Sequence, residues 1–161
     1  MGPRLERLRQ TVGMRLFGWL KIPLLASVRP SVVELSETRC VIKVPLRRWS
    51  KNHLGSMYFG ALAIGADCAG GLLAMDQIKR SGGGVSLVFK AFQAQFLKRP
   101  ESDVYFTCEE GQAIRDQVRR ALDSEERITK PMHIQAAVKL PDGSFEPVAE
   151  FTLELSLKRR T

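Results

Sequence analysis

The run Asn52-His-Leu-Gly-Ser-Met-Tyr-Phe-Gly60-Ala-Leu-Ala-Ile-Gly-Ala-Asp67-Cys-Ala-Gly-Gly71-Leu-Leu-Ala-Met75 decides how this chain is read. Small and apolar residues lie on every side of a helical wheel, and Asp67 is the single carboxylate in the run. A helix that is apolar all round has to be enclosed by the rest of the chain rather than laid on its surface. The pattern predicts a helix from Ser56, as N-cap, to about Ile78, closed by Ser81-Gly82-Gly83-Gly84. Leu54 to Met75 is long enough to cross a bilayer. Asp67 near the bilayer centre would cost about 2.5–3.5 kcal/mol, however, and the many Gly and Ala residues suit close packing against protein, so no membrane insertion is expected.

Upstream, Leu5, Leu8, Val12, Leu16 and Trp19 recur at helical spacing among Arg4, Arg7, Arg9 and Arg15, predicting an amphipathic helix that ends before Pro23. Val32–Leu35 and Cys40–Val44 read as two strands of a hairpin about Ser36-Glu37-Thr38. Downstream, Val85, Leu87 and Phe89 alternate with Ser86, Val88 and Lys90, predicting a long strand that runs on through Phe92 and Phe96. Val104–Cys108 gives another strand. Gly111–Glu126 reads as a polar surface helix with an apolar stripe of Ile114, Val118 and Leu122. A second hairpin follows, His133–Leu140 and Pro147–Leu157, turning at Pro141-Asp142-Gly143. The predicted class is therefore α+β: one antiparallel sheet curled around one long central helix, with an N-terminal helix and a helical insertion between late strands. The chain's 161 residues are read as one domain, with 1–22 as the N-terminal helix and 31–158 as the core.

Cys40, Cys68 and Cys108 are an odd number without Cys-x-x-Cys or His/Cys spacing, which argues against a disulfide framework or a zinc site and for reduced thiols in the cytoplasm. Val12–Val28 is interrupted by Arg15, Lys21 and Pro23 and lacks a cleavage site, so it does not read as a signal peptide. The net charge of +8 sets a sign without naming a partner. No helix-turn-helix, aromatic stacking motif or zinc pattern accompanies it, so nucleic acid is not expected as a partner. Ser56 lacks the Gly-x-Ser-x-Gly elbow, and Gly82-Gly83-Gly84 lacks the Gly-Lys-[Ser/Thr] ending of a phosphate loop.

Taken alone, Asp67 reads either as a structural hydrogen-bonding acid or as a functional one. The start of the helix adds weight to the second reading, because the chain's one Asn, Asn52, and the glycines Gly55 and Gly60 stand there. Unpaired N–H groups at a positive helix end can hold an oxyanion. At these residues the sequence resembles the hotdog acyl-CoA thioesterases of the phenylacetyl-CoA thioesterase type. Their pattern is an Asn, a His-Gly-Gly opening the central helix, and an Asp or Glu two turns along it. Asn52 falls on the Asn, Tyr58-Phe59-Gly60 on the His-Gly-Gly and Asp67 on the acid, with Tyr58 and Phe59 departing from the motif's letters. A second branch, carrying Asn-His-x-Gly-[Ser/Thr]-x-x-x-Gly-Ala-Leu and an extra helix between late strands, is similar over Asn52–Leu62 and Gly111–Glu126. The order of elements matches over Ser31–Lys158; the specific motif covers Asn52–Asp67.

The resemblance implies hydrolysis of a medium- or long-chain or aromatic acyl thioester, carried on CoA or on a carrier protein. Asp67 would be the general base or nucleophile, the Phe59 and Gly60 amides the oxyanion donors, and Asn52 the residue that orients water or substrate. His53, read mainly as a turn residue, and Tyr58 would border the substrate. Lys90, Lys98 and Arg99, with Lys130 as a further candidate, would meet the CoA phosphates. His133, without a neighbour in sequence, is not assigned to the site. The resemblance also implies a homodimer or a dimer of dimers with the site at the subunit interface, and neither cofactor nor metal. The alternative is a hotdog module that binds an acyl chain or acyl-CoA without turning it over, a reading favoured by the Tyr58-Phe59 departure.

Overall fold

Period-two burial organises the sheet. Along β2 (Cys40–Val44), Cys40, Ile42 and Val44 are buried while Lys43 reaches toward solvent. Along β6 (Phe145–Arg159), Phe151, Leu153, Leu155 and Leu157 all point inward. Each such side chain contributes about 1.5–3 kcal/mol by leaving water. The computed structural model describes residues 2–160. The remaining elements are helices α1 (Pro3–Lys21), α2 (Pro23–Ser27), α3 (Phe59–Arg80) and α4 (Gly111–Leu122) and strands β1 (Ser31–Leu35), β3 (Val85–Phe96), β4 (Val104–Cys108) and β5 (Ile128–Lys139). Among the described residues the strands form one six-stranded sheet in the order β1-β2-β4-β5-β6-β3, and every neighbouring pair is antiparallel.

The central helix α3 lies on the inner face of this sheet, as expected of a hotdog fold. Ala66, Ala69, Leu73 and Ala74 are fully buried against the strands. The helix reaches them because it is short of side chains on that face. A Cβ at Gly65 would collide with the Phe106 ring on β4, and one at Gly70 would meet Met132 Sδ on β5. It is the one helix among the described residues long and apolar enough to cross a membrane, and it is the core helix that the sheet encloses.

Several boundaries differ from the sequence expectation. The helix begins at Phe59 rather than Ser56, and its N-cap residue is Tyr58, with no side-chain cap. Ser56 is buried and bonds to Asn52 in the preceding turn, so it is not the N-cap. Helix α4 stops at Leu122, short of Glu126. It is anchored through Ile114 and Val118 and through buried Gln117, whose Nε2 donates to Ile128 O (3.0 Å) and Leu155 O (2.8 Å). Strand β5 begins five residues before His133; Pro131 sits inside it, paired across from Glu154, and hides its first half from a propensity reading.

The two sheet edges are treated differently. At β1, Thr11 of α1 accepts the Val32 N–H (2.9 Å), and Arg15 Nε donates to Pro30 O (2.8 Å), so α1 covers that edge. At the other edge β3 pairs with β6 alone, and its second half, from Lys90 to Phe96, is exposed. An irregularity between Phe89 and Phe92 keeps both rings on the inner face, opposite Leu155 and Leu153.

Candidate active site

The chain entering α3 is held by a tight turn. Asn52 N donates to Ser56 O (2.8 Å), and Asn52 Oδ1 accepts the N–H groups of Leu54 (2.9 Å) and Ser56 (3.2 Å). Its Nδ2 donates to Ser56 Oγ (3.0 Å), so both ends of the amide are engaged in shaping the turn. His53, Leu54 and Gly55 form its exposed tip. Met57 N then donates to Pro100 O (2.9 Å) and Tyr58 N to Ser50 O (2.8 Å), which fixes where the helix starts.

Beyond these anchors the acceptors run out. The Phe59 and Gly60 N–H groups have no partner among the described residues, as the first turn of an uncapped helix leaves them. They stand at the positive end of a 22-residue helix. The rings of Tyr58 and Phe59 are exposed and meet in a tilted arrangement at a centroid distance of 4.6 Å. Tyr58 folds back so that its Cε1 lies 2.5 Å from where a Gly60 Cβ would be. A side chain at position 60 would therefore have to displace the exposed Tyr58 ring.

Asp67 lies farther along α3, half-buried, with no hydrogen-bond or ion-pair partner among the described residues. Burial pushes its pKa above the usual carboxylate range. Burial, and then the Asp67 charge, pushes the adjacent Cys68 thiol up to about 12, which keeps that cysteine unreactive. The direction in which Asp67 faces follows from Gly71, whose Cβ position would lie 3.6 Å from Asp67 Oδ1 and 3.8 Å from Phe89 Cε2. The carboxylate thus looks toward β3 and the open edge. Phe92 and Phe96, on the same inner face of that strand, are exposed and pack partly on Phe151. These rings were legible as strand residues. What could have marked them as part of the site is an apolar period-two run extending past the length one helix can cover.

The structure brings some of the expected cations to this region and leaves others apart. Lys98 and Arg99 directly precede Pro100, whose carbonyl pins Met57, so they flank the helix entrance; Lys98 is paired with Glu146 (2.6 Å). Lys90 falls in the irregular stretch of β3, well away from them. His133 lies outside the site and pairs with Glu110 (2.7 Å). A cavity of about 590 Å³ is on the outer face of the sheet, lined by Arg39, Tyr105, His133 and Thr152 among others. None of the candidate residues lines it.

This architecture, a sheet wrapped around a glycine-rich central helix with an acid on its open side, is a hotdog fold. Residues 13–157 match the family described as Domain of unknown function (DUF4442), and the chain belongs to that family. Comparison with curated proteins returned no match. Among solved structures, a protein of unknown function from Chlorobaculum tepidum superposes with a TM-score of 0.80 at 9% identity, covering 96% of this chain and 97% of that one. A Pseudomonas aeruginosa protein described as a probable thioesterase gives 0.75 at 21% identity, covering 93% and 96%. A thioesterase family protein from Silicibacter pomeroyi gives 0.67 at 16% identity, covering 93% and 99%. At these identities the likeness is one of fold.

Proposed function

We propose that the protein is a cytoplasmic acyl thioester hydrolase of the phenylacetyl-CoA thioesterase type, working as a homodimer with Asp67 as general base or nucleophile. The observation that carries this reading is the half-buried, unpartnered Asp67 carboxylate on the face of α3 that looks at an open strand. A carboxylate is rarely left desolvated without a charge or donor to answer it. Here its raised basicity suits it to take a proton from water or to attack a thioester carbonyl.

One chain does not bring the acid and the oxyanion donors to the same carbonyl. Gly60 and Asp67 are separated by about 10 Å along the helix axis at 1.5 Å per residue. Two chains joined antiparallel along β3 would lay their central helices side by side, placing Asp67 of one protomer near the Phe59 and Gly60 amides of its partner. Attack on the thioester would move charge onto the carbonyl oxygen, where those amides meet it, and the CoA or carrier thiolate would leave. Lys98 and Arg99 would face the anionic carrier, and the exposed rings of Tyr58, Phe59, Phe92 and Phe96 would line the way for a medium-length, long or aromatic acyl group. Asn52 serves this site by holding the turn before the helix, and His53 borders it at the turn's tip.

The test is thiol release from acyl-CoAs spanning acetyl, palmitoyl and phenylacetyl, with wild type beside Asp67→Asn. Release by wild type that falls at least about 100-fold in the variant is expected. A second reading, a non-catalytic acyl-CoA binding module, is favoured by the Tyr58 ring lying over Gly60 at the oxyanion site. It predicts stoichiometric retention of acyl-CoA, no thiol release, and indifference to Asp67→Asn.

A further inference from the structure

Helix α1 presents its apolar stripe to solvent. Leu5, Leu8, Val12, Leu16 and Trp19 are all exposed, whereas the face turned to the protein carries buried Thr11 and Gly18 and the partly buried Met14. Leu20, Ile22 and Leu24 continue the exposed surface into α2. Such a stripe on a surface helix ordinarily faces the core. Both tryptophans of the chain lie bare, Trp19 at 75% exposure and Trp49 at 77%, although tryptophan is among the most buried side chains on average.

The charge around the stripe has one sign. On a helical wheel Arg4 and Arg15 border it on one side and Arg9 on the other, and α1 carries five basic residues against the single acid Glu6. Partial burial, and then the charges of Arg29 and Arg47, hold the Arg15 guanidinium below its usual range, so the loops that follow α2 and β2 bring further cations close to α1. Arg48 and Trp49 follow Arg47 in the same exposed segment. A second copy seated on this stripe would set the arginines that border it against their like. An anionic surface would instead neutralise them while taking up the apolar side chains.

We propose that α1, α2 and the Arg47–Trp49 segment form a docking surface for an anionic lipid bilayer, with α1 lying in the interfacial plane. Leu, Val and Trp side chains enter the boundary between headgroups and acyl chains, and the flanking arginines contact the headgroups. This surface lies at the β1 edge, away from Asp67, and does not depend on the thioesterase reading.

The test is co-sedimentation of the full-length protein with vesicles of phosphatidylcholine alone or mixed with phosphatidylglycerol. Tryptophan emission is recorded in parallel, because both tryptophans belong to the surface. Binding to the mixed vesicles, weakened by added salt and accompanied by a blue shift, is expected. Each of Arg4→Gln and Arg9→Gln should weaken it about fivefold, and Leu8→Glu with Leu16→Glu should weaken it about 100-fold or more without lowering the melting temperature, since both positions are exposed. Failure of wild type to bind the mixed vesicles overturns the proposal. So does binding unchanged in the double glutamate variant. A protein whose oligomeric state, rather than lipid binding, responds to that variant would show the stripe covered by a second copy.

Discussion

Gly65→Ala and Gly71→Ala make the same substitution in the same helix, and the structure predicts opposite signs for them. In a helix interior alanine is favoured over glycine by about 0.5–1 kcal/mol, chiefly through the entropy of the unfolded chain. At Gly71 nothing opposes that gain, since a Cβ would make ordinary contacts with Asp67 and Phe89 at 3.6–3.9 Å. At Gly65 the methyl group would fall on the Phe106 ring, which is fully buried and has the Phe151 ring as a neighbour at a centroid distance of 6.3 Å. Overpacking of that kind costs about 1–3 kcal/mol, and a fully buried ring belongs in the upper half of the range. The net expectation is a loss of about 1–2 kcal/mol for Gly65→Ala and a gain of up to about 1 kcal/mol for Gly71→Ala. At about 2–4 °C per kcal/mol for a chain of this size, the two melting temperatures should differ by about 5–10 °C. Adding Phe106→Leu to Gly65→Ala should recover part of the loss, giving a favourable coupling in a double-mutant cycle. If Gly65→Ala melts above wild type, α3 is not pressed onto β4 as described, and the placement of Asp67 two residues later falls with it.

Asp67→Asn should melt above wild type at neutral pH, whatever its effect on thioester hydrolysis. Burial raises the folded-state pKa of Asp67 above its unfolded value of about 3.8, so the ionised group destabilises the fold above that folded pKa, and the penalty fades as pH falls through it; thermal melts from neutral to acid pH should show the two proteins converging. Asn52→Ala removes an amide that makes four hydrogen bonds within its turn and should cost about 1–3 kcal/mol, whereas Asn52→Asp, which keeps the acceptor for the Leu54 and Ser56 N–H groups, should cost less. Limited proteolysis at Leu54 reads this directly, and equal resistance of both variants would remove the structural role assigned to Asn52.

The central helix, both hairpins and the helical insertion were legible because each carries a strong local signal. Asp142 Oδ1 accepts the Ser144 N–H (2.9 Å) in the second hairpin turn, as the Pro-Asp-Gly tripeptide announces. The first turn of α3 was misplaced because Asn52 and Ser56 are both capping residue types, and here they cap a turn against each other rather than a helix. The first half of β5 was lost to Pro131, tolerated in the ladder opposite Glu154. The candidate site reads in the sequence as a spacing of residues, since the positions of Asp67 and the Phe59–Gly60 amides along α3 depend on local helix geometry. That Asp67 looks toward β3 was not legible, because it depends on which strand ends at the sheet edge, a product of the whole topology.

Amphipathy in α1 was equally plain in the sequence, yet the side that meets the protein was not. Among the described residues two apolar surfaces, one at each end of the sheet, have no partner, and their chemistry separates them. Strand β3 offers an unpaired backbone edge with Phe92 and Phe96 beside it, and a two-fold axis can join such an edge to its own copy, hydrogen bond for hydrogen bond and ring against ring. Helix α1 has no backbone groups left to offer, and its arginines repel a copy of itself. An edge strand with few charges is suited to symmetric self-association; an arginine-flanked helix is suited to a surface of the opposite sign. Edge chemistry therefore separates the two faces, β3 suiting a second copy of the chain and α1 an anionic surface.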